Sequence, residues 1–544
     1  MNRRKFLKNI SLASVSALAF NSIPLNTFAS RFVKLALTGN SDRVLIFIQL
    51  HGGNDGLNTV IPLNQYSEYY NVRPNIALPY TGSRQILTLD STLPDIQLAG
   101  IHPDMVGFKE MYDAKKAAVV QNVGYENTSM SHFRGRDIYF MGGGYNDYFD
   151  SGWLGRFLED EYPGYPDSYP NTDNPDPLAI EFGNNATLAL HREEGIPSGI
   201  AISNPEGFFD LVNSVGGNYP DTFPDSYYGN ELEYLTSFER KTNQYAERLQ
   251  QVYTNGTNSP SIVYPTKYPL NAPPQYSYNG LSEQLRIVAR LLSGGIKTRI
   301  FLVRLTGFDT HASQVETYDT SMGRHAALLY HLSSATKAFF DDLKLQNLDE
   351  KVVGMTYSEF GRRVYSNAGY GSDHGKAQPV LLFGPGLKGG VYGENPDLNN
   401  LDGGNLRYTV DYRRVYASVL MDWFGASETA MNASMFGEHI NNRLDLFSNP
   451  LSSKSINSNG SYELNVFPNP AVSEINVQFT TNAGSTYFVA VYNMQGALVS
   501  TLGSGKSHSE NCLITFNISG LSQGSYICSV VSDSIKRNAF FQKL

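Results

Sequence analysis

The sequence predicts an α/β body, a mainly parallel sheet flanked by helices, followed by a small C-terminal β-sandwich. Three observations predict it. Short, near-continuous apolar runs recur along the chain, amphipathic segments at helical spacing lie between them, and residues 462–544 alternate apolar with polar side chains.

The first run, Val44-Leu45-Ile46-Phe47-Ile48-Gln49-Leu50, is apolar at odd and even positions alike, as a strand buried on both faces must be. It leads into His51-Gly52-Gly53-Asn54-Asp55-Gly56-Leu57-Asn58. A helical pattern over Met105, Phe108, Met111 and Tyr112 precedes the second run, Ala117-Ala118-Val119-Val120. An amphipathic helix from Leu281 to Leu292 precedes the third, Arg299 to Leu305, which ends in Thr306-Gly307-Phe308-Asp309-Thr310-His311. Leu328, Leu329, Leu332, Ala335, Phe339 and Leu343 recur at helix spacing ahead of the fourth, Lys351 to Tyr357. That run ends in Ser358-Glu359-Phe360-Gly361-Arg362-Arg363. A fifth segment holds Gly371-Ser372-Asp373-His374-Gly375 and then Pro379 to Gly386.

Strands alternating with helices make a doubly wound sheet, whose site forms in the polar loops at the carboxyl ends of the strands. Here those loops carry Asp55, Asp309, His311 and Glu359. Carboxylates and imidazoles converging there suit one or two divalent cations, with Zn, Ca and Mg all open. A pair of cations would stabilise the attacking and leaving oxygens of an ester displacement. His325 and His331, six positions apart, do not share a helix face and read as core or surface residues.

The formal net charge is -9, and no basic run follows the extreme N-terminus, which argues against a nucleic-acid partner. Residues 1–29 read as an export signal: Arg3-Arg4-Lys5-Phe6-Leu7-Lys8, then a mildly apolar stretch too short to anchor permanently, then Thr27-Phe28-Ala29 with small residues at the usual cleavage positions. Residues 446–461, rich in Ser and Asn from Ser448 on, lack apolar periodicity and read as a linker. The two cysteines, Cys512 and Cys528, lie beyond it, so the body has no thiolate metal site. They either form one bridge after export or stay as two buried thiols in neighbouring strands.

Both ends resemble known addresses. Arg3-Arg4-Lys5-Phe6-Leu7-Lys8 resembles the twin-arginine translocation consensus. Pro468-Asn469-Pro470, Leu521 to Tyr526 and the terminal Lys543-Leu544 resemble the C-terminal sorting domain of type IX secretion substrates. The resemblances imply two partners, the twin-arginine translocase and the type IX machinery, and a route through the periplasm to the cell surface or medium.

Between the ends, residues 40–445 resemble the DUF1501 family of exported bacterial proteins. The matching stretches are Gly52 to Asn58, Ser131-His132-Phe133, Gly152 to Arg156, Asp309-Thr310-His311, Glu359 to Arg362 and Asp373-His374-Gly375. That family is similar in turn to the alkaline-phosphatase and sulfatase superfamily. The resemblance implies an alkaline-phosphatase-like fold and metal-dependent hydrolysis of phosphate or sulfate esters, with an extracellular polysaccharide as substrate. It implies metal ligands among Asp55, Asp309, His311, Glu359, Asp373 and His374. The superfamily has an Asp directly after its first strand, whereas residues 51–54 intervene before Asp55. For its adjacent Asp-His this chain offers Glu359-Phe360 or Asp373-His374, and His374 alternatively takes the place of the superfamily's last His. The nucleophile belongs in Thr128 to Arg134: Ser131 either attacks, with Arg134 gripping an anionic oxygen, or caps a helix. A non-catalytic surface protein that keeps the fold and binds a glycan or a protein is the alternative expectation.

Overall fold

Apolar side chains on both faces oblige a strand to lie between two layers, and Val44–His51 (β1) does so. Val44, Ile46, Ile48 and Leu50 enter one core, while Leu45 and Phe47 enter the other. The computed structural model describes residues 42–448, apart from 163 and most of 216–242, and residues 464–544, apart from 482–483, 494–497, 508–510 and 533–534. The expected signal at 1–29 and residues 449–461 of the expected linker lie outside the described residues. The chain divides into two units, each taken here by itself.

In the larger unit β1 is followed by Ala117–Gly124 (β2), Ala179–Phe182 (β3), Ile200–Ile202 (β4), Ile300–Thr306 (β5) and Val352–Tyr357 (β6). Arg362–Ser366 (β7) and Ser372–His374 (β8) form a separate hairpin, and Gln378–Phe383 (β9), Gly390–Tyr392 (β10) and Val410–Asp411 (β11) return to the sheet. The order across the sheet is β10-β2-β9-β6-β1-β5-β3-β4, with β11 beside β2. Every strand but β9 points the same way, so the expected mainly parallel sheet is present. The fifth apolar segment is the exception: it follows the β7–β8 hairpin directly and therefore enters the sheet from the opposite end.

Helices cover both faces. Val106–Asp113 (α1), Gly280–Ser293 (α4) and Arg324–Leu345 (α5) pack on the side of Ile46 and Ile48. His132–Met141 (α2), Trp153–Glu161 (α3) and Tyr412–Ser418 (α6) pack on the side of Phe47. In α5 the residues at helix spacing, Leu328 to Leu343, are all buried, and in α4 the Asn279 side chain caps the helix by accepting from the Ser282 amide. Leu446 and Phe447 correct the expected linker boundary, because both are buried in this unit and Phe447 bridges to Leu387.

The smaller unit is the expected sandwich. A three-stranded antiparallel sheet (464–467, 474–480, 511–517) shares one core with a four-stranded one (486–493, 498–506, 524–532, 535–543). Cys512 and Cys528 are both buried thiols not joined in a disulfide, and they stand on different sheets rather than on neighbouring strands. Burial pushes the Cys528 thiol up to about 12, so it stays protonated and unreactive.

Phe47 joins the layers of the larger unit. Its ring stacks on Tyr357 at 4.3 Å between centroids and meets Trp153 and Tyr416 edge-on at 5.7 and 5.8 Å. Phe47→Ala is expected to cost about 3–5 kcal/mol in urea-induced unfolding. A loss under ~1 kcal/mol would show that the aromatic cluster collapses around the gap.

Candidate metal centre

The loops after β1, β5 and β6 lie side by side because their strands are neighbours, and local sequence lets them close up. A Cβ on Gly52 would fall 2.2 Å from the Asp309 amide, and Gly52 has φ +126, so only glycine fits this turn. A Cβ on Gly135 in α2 would fall 2.4 Å from the Glu359 carbonyl oxygen. The helix therefore rests directly on the loop after β6 and carries His132 into the same cluster.

Arg362 ties these parts together. Its side chain is fully buried, and Nε donates to the Gly53 carbonyl while Nη1 donates to that of Ser372. Nη2 donates to the carbonyls of Gly52 and Phe308 and, at 2.7 Å, to Oδ1 of Asp309. Partial burial pushes the Asp309 carboxyl up, but the Arg362 hydrogen bond and charge outweigh it, so the group titrates below its ordinary value and is an anion near neutrality.

Three imidazoles face this carboxylate. His132 Nε2 lies 3.6 Å from Oδ2, His374 Nε2 lies 3.6 Å from Oδ1, and His311 Nε2 lies 3.3 Å from Oδ1. The other ring nitrogens are all engaged. His132 Nδ1 is 3.0 Å from Glu359 Oε1, His311 Nδ1 is 3.1 Å from Asp373 Oδ1, and His374 Nδ1 is 2.8 Å from the Met130 carbonyl. A carbonyl or a carboxylate can only accept, so each Nδ1 carries a proton, and in the neutral ring Nε2 presents a lone pair. His311 Nε2 and His374 Nε2 are 2.8 Å apart. Lone pairs that meet one another and an anion repel unless a cation or a proton lies among them.

This donor set fits a divalent cation. Ligand atoms of His132, Asp309 and His374 all lie within 4.8 Å of one another, and a tetrahedral ion with bonds of about 2.0–2.1 Å draws its ligands to about 3.3 Å apart. Imidazole nitrogen favours Zn over the hard cations Ca and Mg, which take oxygen ligands. The hydrogen bond that His132 donates to Glu359 raises the His132 pKa, whereas burial lowers that of His374.

The remaining expected site residues are placed as follows. Asp309, His311 and His374 come together. Glu359, with 1% of its side chain exposed, accepts from the Gly52 amide and stands behind His132, while Asp373 stands behind His311, so neither carboxylate points at the gap. Asp55 does not join the cluster. It is buried with Arg73, whose Nη1 lies 3.0 and 2.9 Å from its two oxygens, and it also accepts from Gln314. Ser131 caps α2, its Oγ accepting from the Arg134 amide. Arg134 does not face the cluster: it donates to the carbonyls of Tyr145 and Asp147 and stacks over Tyr148. His325 is a core residue beside Asn54, and burial pushes it down to about 4, so it is neutral.

His132 and Arg362 are the residues that sequence reading does not single out. Both lie in motifs it does quote, but in the first of these the hydroxyl and the guanidinium flanking His132 draw the attention.

Comparison with known proteins gives two regional matches. Residues 242–420 match the family described as a protein of unknown function, DUF1501, and residues 465–541 match the secretion system C-terminal sorting domain. The first match spans Asp309, His311, Glu359, Arg362, Asp373 and His374 and begins after His132. The sorting domain implies handling by a type IX secretion system and export to the cell surface or beyond. No curated protein matches the chain. Among solved structures, alkaline phosphatase from the Antarctic bacterium TAB5 is similar at 14% identity, over 65% of this chain and 94% of that one, with a TM-score of 0.26. PsFucS1 sulfatase from Pseudoalteromonas sp. is similar at 9% identity over 91% and 88%, TM-score 0.32. Ps i-CgsB in complex with k-i-k-neocarrahexaose is similar at 13% identity over 80% and 82%, TM-score 0.34.

Three outcomes are expected from this arrangement. Asp55→Asn leaves the Arg73 charge buried without its partner and is expected to cost about 3–5 kcal/mol in urea-induced unfolding, with metal content unchanged. Burial raises the Asp55 carboxyl, and Arg73, His325 and the Gln314 hydrogen bond together outweigh it, so its pKa is lower folded than unfolded. Its stabilisation is therefore full above the unfolded value of about 4 and fades as pH falls through the depressed folded value. Glu359→Gln, which weakens the acceptor behind His132, is expected to lower metal affinity by about 10–100-fold in chelator competition. A change below about twofold would remove Glu359 from the centre.

Proposed function

We propose that this chain is an exported, metal-dependent hydrolase of phosphate or sulfate esters that acts on extracellular polysaccharide. One observation carries the reading: imidazole nitrogens with fixed tautomers converge on a single carboxylate, at the carboxyl ends of parallel strands. His132, Asp309 and His374 are the residues that would hold the cation, which leaves coordination open, as catalytic sites with three protein ligands do. A divalent cation bound there would supply Lewis-acid polarisation of the ester oxygens.

The chain's own residues supply the rest. Arg362 keeps Asp309 ionised and aimed at the histidines. Glu359 and the Met130 carbonyl hold the His132 and His374 rings with Nε2 forward. His311 stands at the open flank with 45% of its side chain exposed, backed by Asp373, and its Nε2 lone pair accepts a proton from the attacking water. Ser131 commits its oxygen to the helix cap, which leaves attack to water. The same commitment of Ser131, with that of Arg134, is what favours the second reading, a non-catalytic protein that retains the metal centre for binding.

The test is metal content together with turnover of aryl phosphates and aryl sulfates. His374→Ala is expected to lose both metal and turnover. His311→Gln is expected to keep the metal and to lower kcat about 10²–10⁴-fold. Wild-type protein that binds metal and turns over neither ester class would sink the hydrolase reading and leave the binding one.

A further inference from the structure

We infer that the groove beside α2 is a glycan subsite that receives neutral sugar residues flanking the esterified one, with Tyr148 as its stacking platform. This rests on the hydrolase reading above and names the part of the substrate that the metal centre itself does not recognise.

The groove has a volume of about 730 Å³, inside the range of ~300–1,000 Å³ typical of ligand clefts, and Tyr148, Phe149, Asp150, Glu193, Glu194 and Met435 line it. Tyr148 is 81% exposed. It is nonetheless held. The Arg134 guanidinium lies 3.8 Å from the ring centroid and covers one face, and Arg134 is itself anchored on the carbonyls of Tyr145 and Asp147. The other face is left to the groove. An aromatic plane fixed in advance loses little side-chain entropy when a ligand stacks on it, and a pyranose ring presents a row of C–H groups that suits such a plane.

The rest of the lining selects the ligand class. Asp150, Glu193 and Glu194 are exposed carboxylates and accept hydrogen bonds from vicinal hydroxyls. The same three charges repel sulfate or phosphate groups, so an esterified residue is steered toward the cation and its neutral neighbours toward the groove. Beneath the groove, buried Arg156 donates to the carbonyls of Met141, Ser151 and Ser434 and so fastens the far end of α2 to the groove wall. At its near end α2 carries His132 two residues before Arg134. One helix thus fixes both the ligand-bearing end and the stacking platform.

Affinity-gel electrophoresis of the purified full chain tests this, with gels cast from a neutral β-glucan, a xylan, a mannan or agarose, and a casein gel as the protein control. Retardation in at least one neutral glycan is expected for wild type, for His374→Ala and for Tyr148→Phe, which keeps the ring. Tyr148→Ala is expected to need about tenfold or more glycan for the same retardation, with an unchanged thermal midpoint because the side chain is on the surface. Wild type that no neutral glycan retards, Tyr148→Ala that behaves as wild type, or Tyr148-dependent retardation in casein alone would each overturn the proposal. Because the readout is binding, loss of ester turnover in wild type would sink the hydrolase reading without touching this result.

Discussion

The buried guanidinium of Arg362 is the constraint on which the site depends. Taking a charged group out of water costs several kcal/mol, and the cost is offset only where its donors all find acceptors. Arg362 finds them in four backbone carbonyls from three segments and in the Asp309 carboxylate. Three of those carbonyls, on Gly52, Gly53 and Phe308, sit in the loops that follow strands, and the fourth, on Ser372, opens the hairpin strand β8. The same contacts that solvate the cation therefore fix the spacing of the loop after β1, the loop after β5 and the hairpin strand β8. A lysine could supply the charge but not the planar fork that reaches all three.

Asp55 and Arg73 show the alternative use of the same chemistry. There both partners are fully inside, with Gln314, Asn58 and the Val364 and Arg363 carbonyls completing the set. The pair presents nothing to solvent and cannot reach a ligand. At Arg362 only the cation is buried, while half of the Asp309 side chain is exposed. The asymmetry is what turns one ion pair into a support and the other into a site.

Much of the larger unit is legible in the sequence because buried parallel strands declare themselves as apolar runs. Val44–Leu50, Ala117–Val120, Arg299–Leu305 and Lys351–Tyr357 all fall on strands of the sheet, and the residues at their carboxyl ends include Asp309 and His311. Direction is harder: the Gln378–Phe383 run reads like the others and lies antiparallel, since only the hairpin before it decides where it enters. His132 is less visible because it begins a helix after a loop, in a polar setting with no periodic mark. Asp55 looks like a ligand until its partner Arg73, eighteen residues on, is brought against it by the fold. Glu359 and Asp373 have the right chemistry for ligands, but only three-dimensional placement separates a carboxylate that faces a gap from one that stands behind a ring.

That separation matters for how the cluster would hold a cation. Each imidazole already has its tautomer and orientation set by an Nδ1 partner within the chain, and Asp309 is already aimed by Arg362. Little ordering cost is left for the cation to offset, so the affinity of the site follows from geometry built by hydrogen bonds rather than from folding around the ion. The lone pairs and the carboxylate that crowd the gap make the arrangement electrostatically strained without positive charge, and a divalent cation relieves that strain directly.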